Sequence, residues 1–389
     1  MIKYLTAEGV CIGHPDKLCD LISDSILDEA LSLDKDAHTA VETIATDGKI
    51  IVCGEIACKE KINVRVTVRK ALVKAGYDPD DFSISVFLHS QSKDIASGVK
   101  CALETRGTDS KDVEQGAGDQ GTVYGYATLE CGAMLPLPLV LSNNICKSLD
   151  DARESGAIKG IHSDGKAQVT VQYDGDIPER ISTIVVSVQH DENKNLSLLK
   201  DEIIEHVLKP ALKYFPLDEK TKVYINPSGR FVEGGPSADT GLTGRKLMVD
   251  TYGGLAPHGG GAFSGKDPSK VDRSACYAAR FAAKNIVLAG LAKKCTVSFS
   301  YAIGKAEPVG VNVCTSGTGV YSDEELTKAL IKVFPTKPKD IIERLSLKSV
   351  RYQETATYGH FSSPLYPWEE SDETLQSLLI KELEDGRKK

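Results

Sequence analysis

Lysines set among glycines are the first residues in this chain whose types and spacing could do chemistry. Residues 260–267 read Gly-Gly-Ala-Phe-Ser-Gly-Lys-Asp. The pattern matches G-x-x-x-x-G-K, a loop that holds phosphates through backbone N–H groups and a lysine, but Asp267 stands where that loop needs Ser or Thr. By itself the stretch reads first as a glycine-rich turn with one surface lysine, with a phosphate site as the alternative, and the missing hydroxyl argues against a true phosphate loop. Residues 116–121, Gly-Ala-Gly-Asp-Gln-Gly, match G-x-G-x-x-G. A dinucleotide loop needs a strand before it and a helix after it. Here a polar segment precedes and a β-like run, 122–128, follows, so that reading is rejected and Asp119 is kept as a polar ligand contact.

Gly13-His14-Pro15-Asp16-Lys17 opens a helical pattern. Proline suits the first helical position and aspartate the first turn. The free N–H groups of a helix start can bind an anion, with His14 and Lys17 as further donors beside a metal-binding carboxylate. An ordinary helix start reads the same way. More cations sit near glycines: Arg245 and Lys246 after Gly241-Leu-Thr-Gly244, Lys266 and Lys270 four apart with Asp272 and Arg273 just beyond, and Lys166 after Asp164-Gly165. Each alone reads as a solvated lysine or arginine. Together they suit a buried triphosphate, which needs several cations and Mg²⁺ in low dielectric. Asp16 and Asp272 would hold the metal, since Mg²⁺ takes a few carboxylates plus phosphate and water.

The totals narrow the partners. The chain has 389 residues and net charge −8. That length implies two or three domains. An acidic chain lacks the basic excess of a duplex-DNA binder, so no nucleic-acid partner is expected. No run approaches the roughly 18 apolar residues of a membrane span, and the N-terminus has no long apolar signal region. Ten scattered cysteines without C-x-x-C read as unpaired thiols in a reducing cytoplasm.

The elements that must position these motifs repeat. A strand over 4–10 precedes a helix over 15–33, with Leu18, Leu21, Ile22, Ile26 and Ala30 on one face and Asp20, Asp24 and Asp28 away from it. Strands over 39–46 and 49–58 flank Asp47-Gly48, a two-residue hairpin signal. A helix over 60–75 stops at Gly76, and a strand over 82–88 closes the unit. The order β-α-β-β-α-β recurs: strands over 121–129, 167–173, 181–189 and 222–225 with helices within 139–153 and 196–212. It recurs more loosely: strands over 247–251, 296–303 and 309–314 with helices over 270–292 and 323–334. The fold class is therefore α+β, with three similar units of about 110 residues, each placing two helices on one face of a mostly antiparallel sheet. The divisions are 1–100, 116–231 and 232–389, which spatial domains can interleave. Residues 90–115 fit no unit and read as a lid or a disordered stretch. Residues 226–265 carry eleven glycines, which signals tight turns or close backbone approach.

GHPDK at 13–17, GAGDQG at 116–121, GLTGRK at 241–246 and GGGAFSGKDPSKVDRS at 259–274, in that order over nearly the whole chain, resemble the S-adenosylmethionine synthetase (methionine adenosyltransferase) family. The resemblance implies three similar α+β domains in pseudo-threefold arrangement. It implies a cytoplasmic enzyme that joins ATP and L-methionine and then splits the triphosphate to phosphate and pyrophosphate. Glu8, Asp16 and Asp272 would bind Mg²⁺, two ions per site, and Glu42 an activating K⁺. His14, Lys166, Arg245, Lys246 and Lys266 would be catalytic and bind ATP, with Asp119, Asp164, Ser228, Arg230, Phe231, Asp239 and Ala262. Glu55, Gln91, Asp239 and Lys270 would bind methionine. The family places its sites between subunits, which implies a homodimer or homotetramer. The chain departs from the family at 7–12, Ala-Glu-Gly-Val-Cys-Ile in place of a serine-rich run, and at Lys93 and Ser97, where Pro and Gln are common.

Two other readings share these cations. An ATP-dependent kinase or ligase would need a base or acyl-acceptor site, and the chain lacks the P-loop hydroxyl and a kinase H-R-D. A nucleotide sensor without turnover would not need His14, Asp16, Lys166 and Asp272 together.

Overall fold

A computed structural model describes residues 1–90, 101–105 and 114–388. Gln91, Lys93, Ser97 and most of the expected lid lie outside them. Period-two burial sets the strands. In β2 (His38–Thr46), Thr39, Val41, Thr43 and Ala45 face inward and the residues between them face out. β3 (Lys49–Ala57) follows through a turn in which Gly48 takes φ +59°. β2 and β3 are antiparallel, and β4 (Ser83–His89) lies parallel to β3. The other strands are β1 (Ile2–Val10), β5 (Gly121–Thr128), β6 (Ile161–Asp174), β7 (Ile177–His190), β8 (Lys222–Ile225), β9 (Gly241–Leu242), β10 (Lys294–Tyr301) and β11 (Gly310–Cys314).

These strands form three sheets, ordered β1-β6-β7-β8, β4-β3-β2-β9 and β11-β10-β5. Each third of the sequence lends its first strand to another third's sheet. β1 joins the middle strands, β5 joins the last, and β9 returns to the first. The cycle closes after three steps. The three cores follow the sheets, not the sequence: Cys11 packs with the middle core, and Val123 and Ala127 pack with the last. One expectation is corrected here. Residues 247–251 were expected as the opening strand of the last unit, but Leu247–Asp250 is a single helical turn, and the strand is Gly241–Leu242. The turn aims Asp250 at a buried lysine, described below.

Helix α1 (Pro15–Leu33) begins where the His14 side chain accepts the Asp16 N–H, with Pro15 at the first position. Its apolar side fills the first core through Leu18, Leu21, Ile22 and Ile26. The opposite side is also covered. Asp16, Asp20 and Asp24 are buried and Asp28 is half-buried. α2 (Val64–Lys74) packs beside α1. α3 (Leu137–Glu154) lies on β1 and β6, where a β-carbon on Gly9 would sit 2.9 Å from the Ser142 backbone. A serine at position 9 would meet the same wall, which accounts for glycine there. α4 (Leu196–Ile203) covers the middle sheet with α3. α5 (Val271–Leu288), α6 (Asp323–Val333), α7 (Pro338–Arg344) and α8 (Glu373–Arg387) surround the last core. α7 and α8 were not anticipated.

Two ionic locks are buried, one joining the first unit to the last and one inside the last unit. Arg273 and Asp24, both fully buried, pair at 2.6 and 2.9 Å, and Arg280 meets Glu369 at 2.7 and 2.8 Å. Breaking a buried pair leaves an uncompensated charge. Asp24→Ala is therefore expected to cost about 3–5 kcal/mol of unfolding free energy; an unchanged denaturant midpoint would show the pair is dispensable. The β1–α1 junction has its own lock, where Asp150 of α3 accepts Ile12 N–H at 3.0 Å and the Tyr358 hydroxyl at 2.8 Å. Burial pushes the Asp150 carboxyl up to about 6 against those donors. A raised acid contributes stability that is present below its ordinary pKa, about 4, and lost as pH climbs through about 6. Asp150→Asn cannot ionise, so its stability should fall less between those pH values. Parallel pH profiles of the denaturation midpoint in the two proteins would rule this out.

Candidate active site

The site grows from one edge of β2. Leu242 and Gly241 pair with Ile44 and Ala45, and Thr243 N–H donates to Thr43 O at 3.1 Å. Further along the same edge, Val41 N–H donates to Gly265 O at 3.1 Å and Asp267 N–H to Thr39 O at 3.3 Å, with Lys266 bridged to Ala40. Both glycine-rich loops thus dock on a single strand. Glycine is required at the contacts. Gly265 takes φ +79°, and a β-carbon there would lie 1.9 Å from Val41 O; one on Gly241 would lie 2.1 Å from Pro15 O.

The acidic side of α1 receives these loops from below. Asp16 accepts Leu242 N–H at 3.0 Å, Asp20 accepts Gly244 N–H at 2.8 Å, and Asp24 accepts Gly265 N–H at 2.8 Å. Asp28 accepts the N–H groups of Tyr352 and Gln353 at 2.7 and 2.9 Å. The four carboxylates are spaced i, i+4 on one stripe. Asp20, Asp24 and Asp28 lie away from the apolar face as expected, but with Asp16 they meet backbone, not solvent.

Around the start of α1 a first cluster forms. Asp16 pairs with Lys246 at 2.5 Å and approaches Arg245 at 3.8 Å. Burial alone would raise its pKa, but the Lys246 hydrogen bond and the Leu242 N–H outweigh that and hold the carboxyl below its ordinary value. His14 is buried and held neutral, its pKa lowered to about 3 by burial first and then by the Lys246 and Lys166 charges. Its Nδ1 accepts Asp16 N–H at 3.2 Å, so in the neutral ring the proton is on Nε2. Lys166 is exposed on β6. Asp164 is buried and raised by that burial, partly offset by Gly235 N–H at 2.8 Å and by Lys166; the Asp239 charge also reaches it. His14, Asp16, Asp164, Lys166, Asp239, Arg245 and Lys246 therefore share one region.

A second cluster lies on the Gly265 loop and the start of α5. Lys266 pairs with Asp272 at 2.6 Å and Lys270 with Asp267 at 2.5 Å. Ala262 sits against Gly244, where a β-carbon would meet it at 2.6 Å, so the two clusters adjoin. Glu55, Ala40 and Lys266 occupy successive paired positions across β3, β2 and the loop, and side chains in such a row share a face. Glu42, two residues from Ala40, is exposed on that face too. Sequence reading did not single out Glu42 and Glu55 as neighbours of Lys266; the register does.

Other expected residues lie elsewhere. Glu8 is exposed on β1 opposite Gln168, one step from Lys166 on β6. Ser228 and Arg230 are exposed on the turn after β8, with Arg230 paired to Glu192 at 2.8 Å. Phe231 N–H donates to His190 Nε2 at 3.0 Å. Asp119 is exposed before β5 and accepts Gln120 N–H at 2.7 Å. Two cations are corrected. Lys17 is no free donor: it is buried between Asp250 at 2.5 Å and Asp20 at 3.1 Å. Arg273 likewise belongs to Asp24 and to the Phe263 and Lys266 carbonyls at 3.0 and 3.1 Å. Among the described residues, no group of three or more His, Cys, Asp or Glu could hold a metal.

Comparison with known proteins now adds an independent line. The models of the S-adenosylmethionine synthetase N-terminal, central and C-terminal domains match residues 3–96, 114–231 and 233–370. An S-adenosylmethionine synthase of Thermus thermophilus is 48% identical over 381 residues, covering 95% of this chain and 96% of that protein. One from a Nocardioides species is 47% identical over 383 residues, and one from Staphylococcus epidermidis 48% over 382, each covering 95% of this chain and 96% of the relative. With one strand edge carrying both lysine loops, and with all three domain models matched in order, the chain belongs to the S-adenosylmethionine synthetase family.

Proposed function

We propose that this chain makes S-adenosylmethionine: it transfers the adenosyl group of ATP to the sulfur of L-methionine by attack at C5′, then hydrolyses the triphosphate to phosphate and pyrophosphate. The observation that carries the reading is the pair of lysine–aspartate contacts, Lys246–Asp16 and Lys266–Asp272, on adjoining loops of one β2 edge. Each lysine rests against a carboxylate that a phosphate oxygen would replace. Each aspartate would then be free for a cation.

The chemistry asks little of a base. The thioether sulfur has no proton to lose, so negative charge growing on the leaving O5′ is what needs stabilising. Arg245, Lys246, Lys166 and Lys266 supply fixed positive charge there, and neutral His14 supplies an Nε2–H donor. Asp164 and Asp239 would meet the nucleoside with Asp119, Ser228, Arg230, Phe231 and Ala262. Glu55 and Lys270 would take the amino and carboxylate groups of methionine, with Asp239 and Gln91. Alignment of sulfur, C5′ and O5′ supplies much of the remaining acceleration, and the same cations then serve phosphoryl transfer to water.

The family uses metal ions, and the donor set fits Mg²⁺ in a particular way. Asp16 and Asp272 are separate single carboxylates beside lysines, without an all-protein cage among the described residues. Magnesium bound through one or two carboxylates, phosphate oxygens and water needs no more. Asp16, Asp272 and Glu8 would hold two ions, and Glu42 a K⁺. When bound, Mg²⁺ supplies charge neutralisation on the triphosphate oxygens.

We also propose a homodimer or homotetramer with the site between subunits, working in the cytoplasm. The outward face of the first sheet supports this: Glu42 and Glu55 stand there among Ile51, Cys53 and a 65% exposed Phe87. A second copy would cover the apolar residues and enclose the carboxylates. No helix among the described residues is long and apolar enough to cross a membrane, and Cys53 and Cys58 are free thiols.

Purified protein with ATP, Mg²⁺ and K⁺ should release phosphate and pyrophosphate and form the sulfonium product only when methionine is added, as read by mass spectrometry. Phosphate release without that product would mean the acceptor is wrong, and full activity at a monomeric mass in light scattering would remove the shared-site proposal. Lys266→Ala and Asp16→Asn are each expected to lower turnover by about 10²–10³ while the fold persists. A near-normal rate in either variant would strike that residue from the catalytic set.

A further inference from the structure

A second basic concavity lies behind α1, away from the lysine loops. It is about 580 Å³ and is walled by α1, α2 and the 348–353 segment. Five cations line it, Lys35, Lys70, Lys74, Lys348 and Arg351, against two carboxylates, Asp28 and Glu29. This local excess stands out in a chain of net charge −8. Lys348 pairs with Asp36 at 2.6 Å and Arg351 lies 4.0 Å from Glu354, but among the described residues Lys35, Lys70 and Lys74 make no ion pair: Lys35 donates to Lys348 O at 3.0 Å and Lys74 to Gln353 Oε1 at 3.2 Å. Both Asp28 oxygens already accept the Tyr352 and Gln353 N–H groups, so they are turned to the backbone of the 348–353 segment.

The wall is built, not loose. Those two hydrogen bonds fix the 348–353 segment on α1, and behind it the buried Tyr352 ring lies under the Arg273 guanidinium at 4.0 Å. Among the described residues, no aromatic ring lines the cleft to stack on a base. Of the hydroxyls on its wall, those of Ser25, Ser32 and Thr67 already donate to the Leu21, Glu29 and Asn63 carbonyls, which leaves recognition to the cations and Ser349. Lysine and arginine cations without rings recognise phosphate oxygens, not nucleosides.

We propose that this cleft is a binding site for a small polyphosphate anion, separate from the lysine loops that carry the adenosyl transfer. Lys70 and Lys74 sit one turn apart on α2 and reach the cleft from one side; Lys35 and Arg351 face them from the other. The ligand spans the two sides and ties α2 to the 348–353 segment.

Isothermal titration of the whole protein with inorganic pyrophosphate tests this. Two classes of site per chain are expected, one at the lysine loops and one in the cleft. Lys70→Glu with Lys74→Glu should remove the second class, or weaken it at least about tenfold, while S-adenosylmethionine formation continues. Lys266→Ala should disturb the first class and leave the second. Should the double reversal fail to fold, Lys35→Gln with Arg351→Gln serves instead, with a melting curve as control. A single class of site that both cleft variants leave intact, or a second class lost in Lys266→Ala, would overturn the proposal. So would binding that never saturates, since that is general attraction to lysines.

Discussion

Four carboxylates on one helix stripe decide where everything else in the site can be. Asp16, Asp20, Asp24 and Asp28 of α1 take backbone N–H groups from the Leu242, Gly244, Gly265 and Tyr352 segments in turn. A buried carboxylate without partners is costly, and a loop with unpaired N–H groups is costly too. Each is satisfied by the other. The helix thereby fixes the height of both lysine loops, and only glycines let the loop backbones approach it that closely. Asp20 and Asp250 share Lys17, and Asp24 takes Arg273, so part of the negative column is compensated inside the protein. Of the four, Asp16 is the one that pairs with a cation of the lysine loops, Lys246.

The exchange of first strands serves the same end. Had each third kept its opening strand, the edge of β2 would belong to its own unit and the two loops of the last third would have no strand to dock on. β9 is only two residues long, yet it brings Thr243 through Lys246 to the start of α1. β1 does the equivalent for Lys166, which faces Val10 across the middle sheet. The cations proposed for catalysis thus come from different thirds of the chain and meet because the sheets are shared.

Much of this was legible in the sequence. The alternation in β2 and β3, the Asp47-Gly48 turn and the proline at the start of α1 are local signals, and the elements they imply are present. What could not be read is pairing. The strand over 4–10 was visible as a strand, but its partner is 161–174, and nothing local distinguishes that partner from 38–46. Lys17 and Lys246 carry the same charge next to similar glycines, and only the fold decides that one is buried against Asp250 while the other faces the site. Helix α8 was missed although Leu375, Leu379 and Leu383 recur every fourth residue behind Asp372 at its cap.

Asp267 explains why a G-x-x-x-x-G-K match here is not a phosphate loop. In that loop a hydroxyl follows the lysine and backbone N–H groups surround the anion. Here the backbone on either side of Lys266 is already spent on β2, through Gly265 O and Asp267 N–H. A residue that follows must therefore satisfy structure first. The Asp267 carboxylate accepts Thr39 N–H at 2.8 Å and Ser269 N–H at 2.9 Å and pairs with Lys270. Burial works against its charge, yet His38 and Lys270 prevail and hold it well below the usual carboxylate range. The lysine is presented by a strand edge, not by a nest of amides, so its side chain shares a face with Glu55 and Glu42. That face, and not a closed loop, is where phosphate and amino acid would meet.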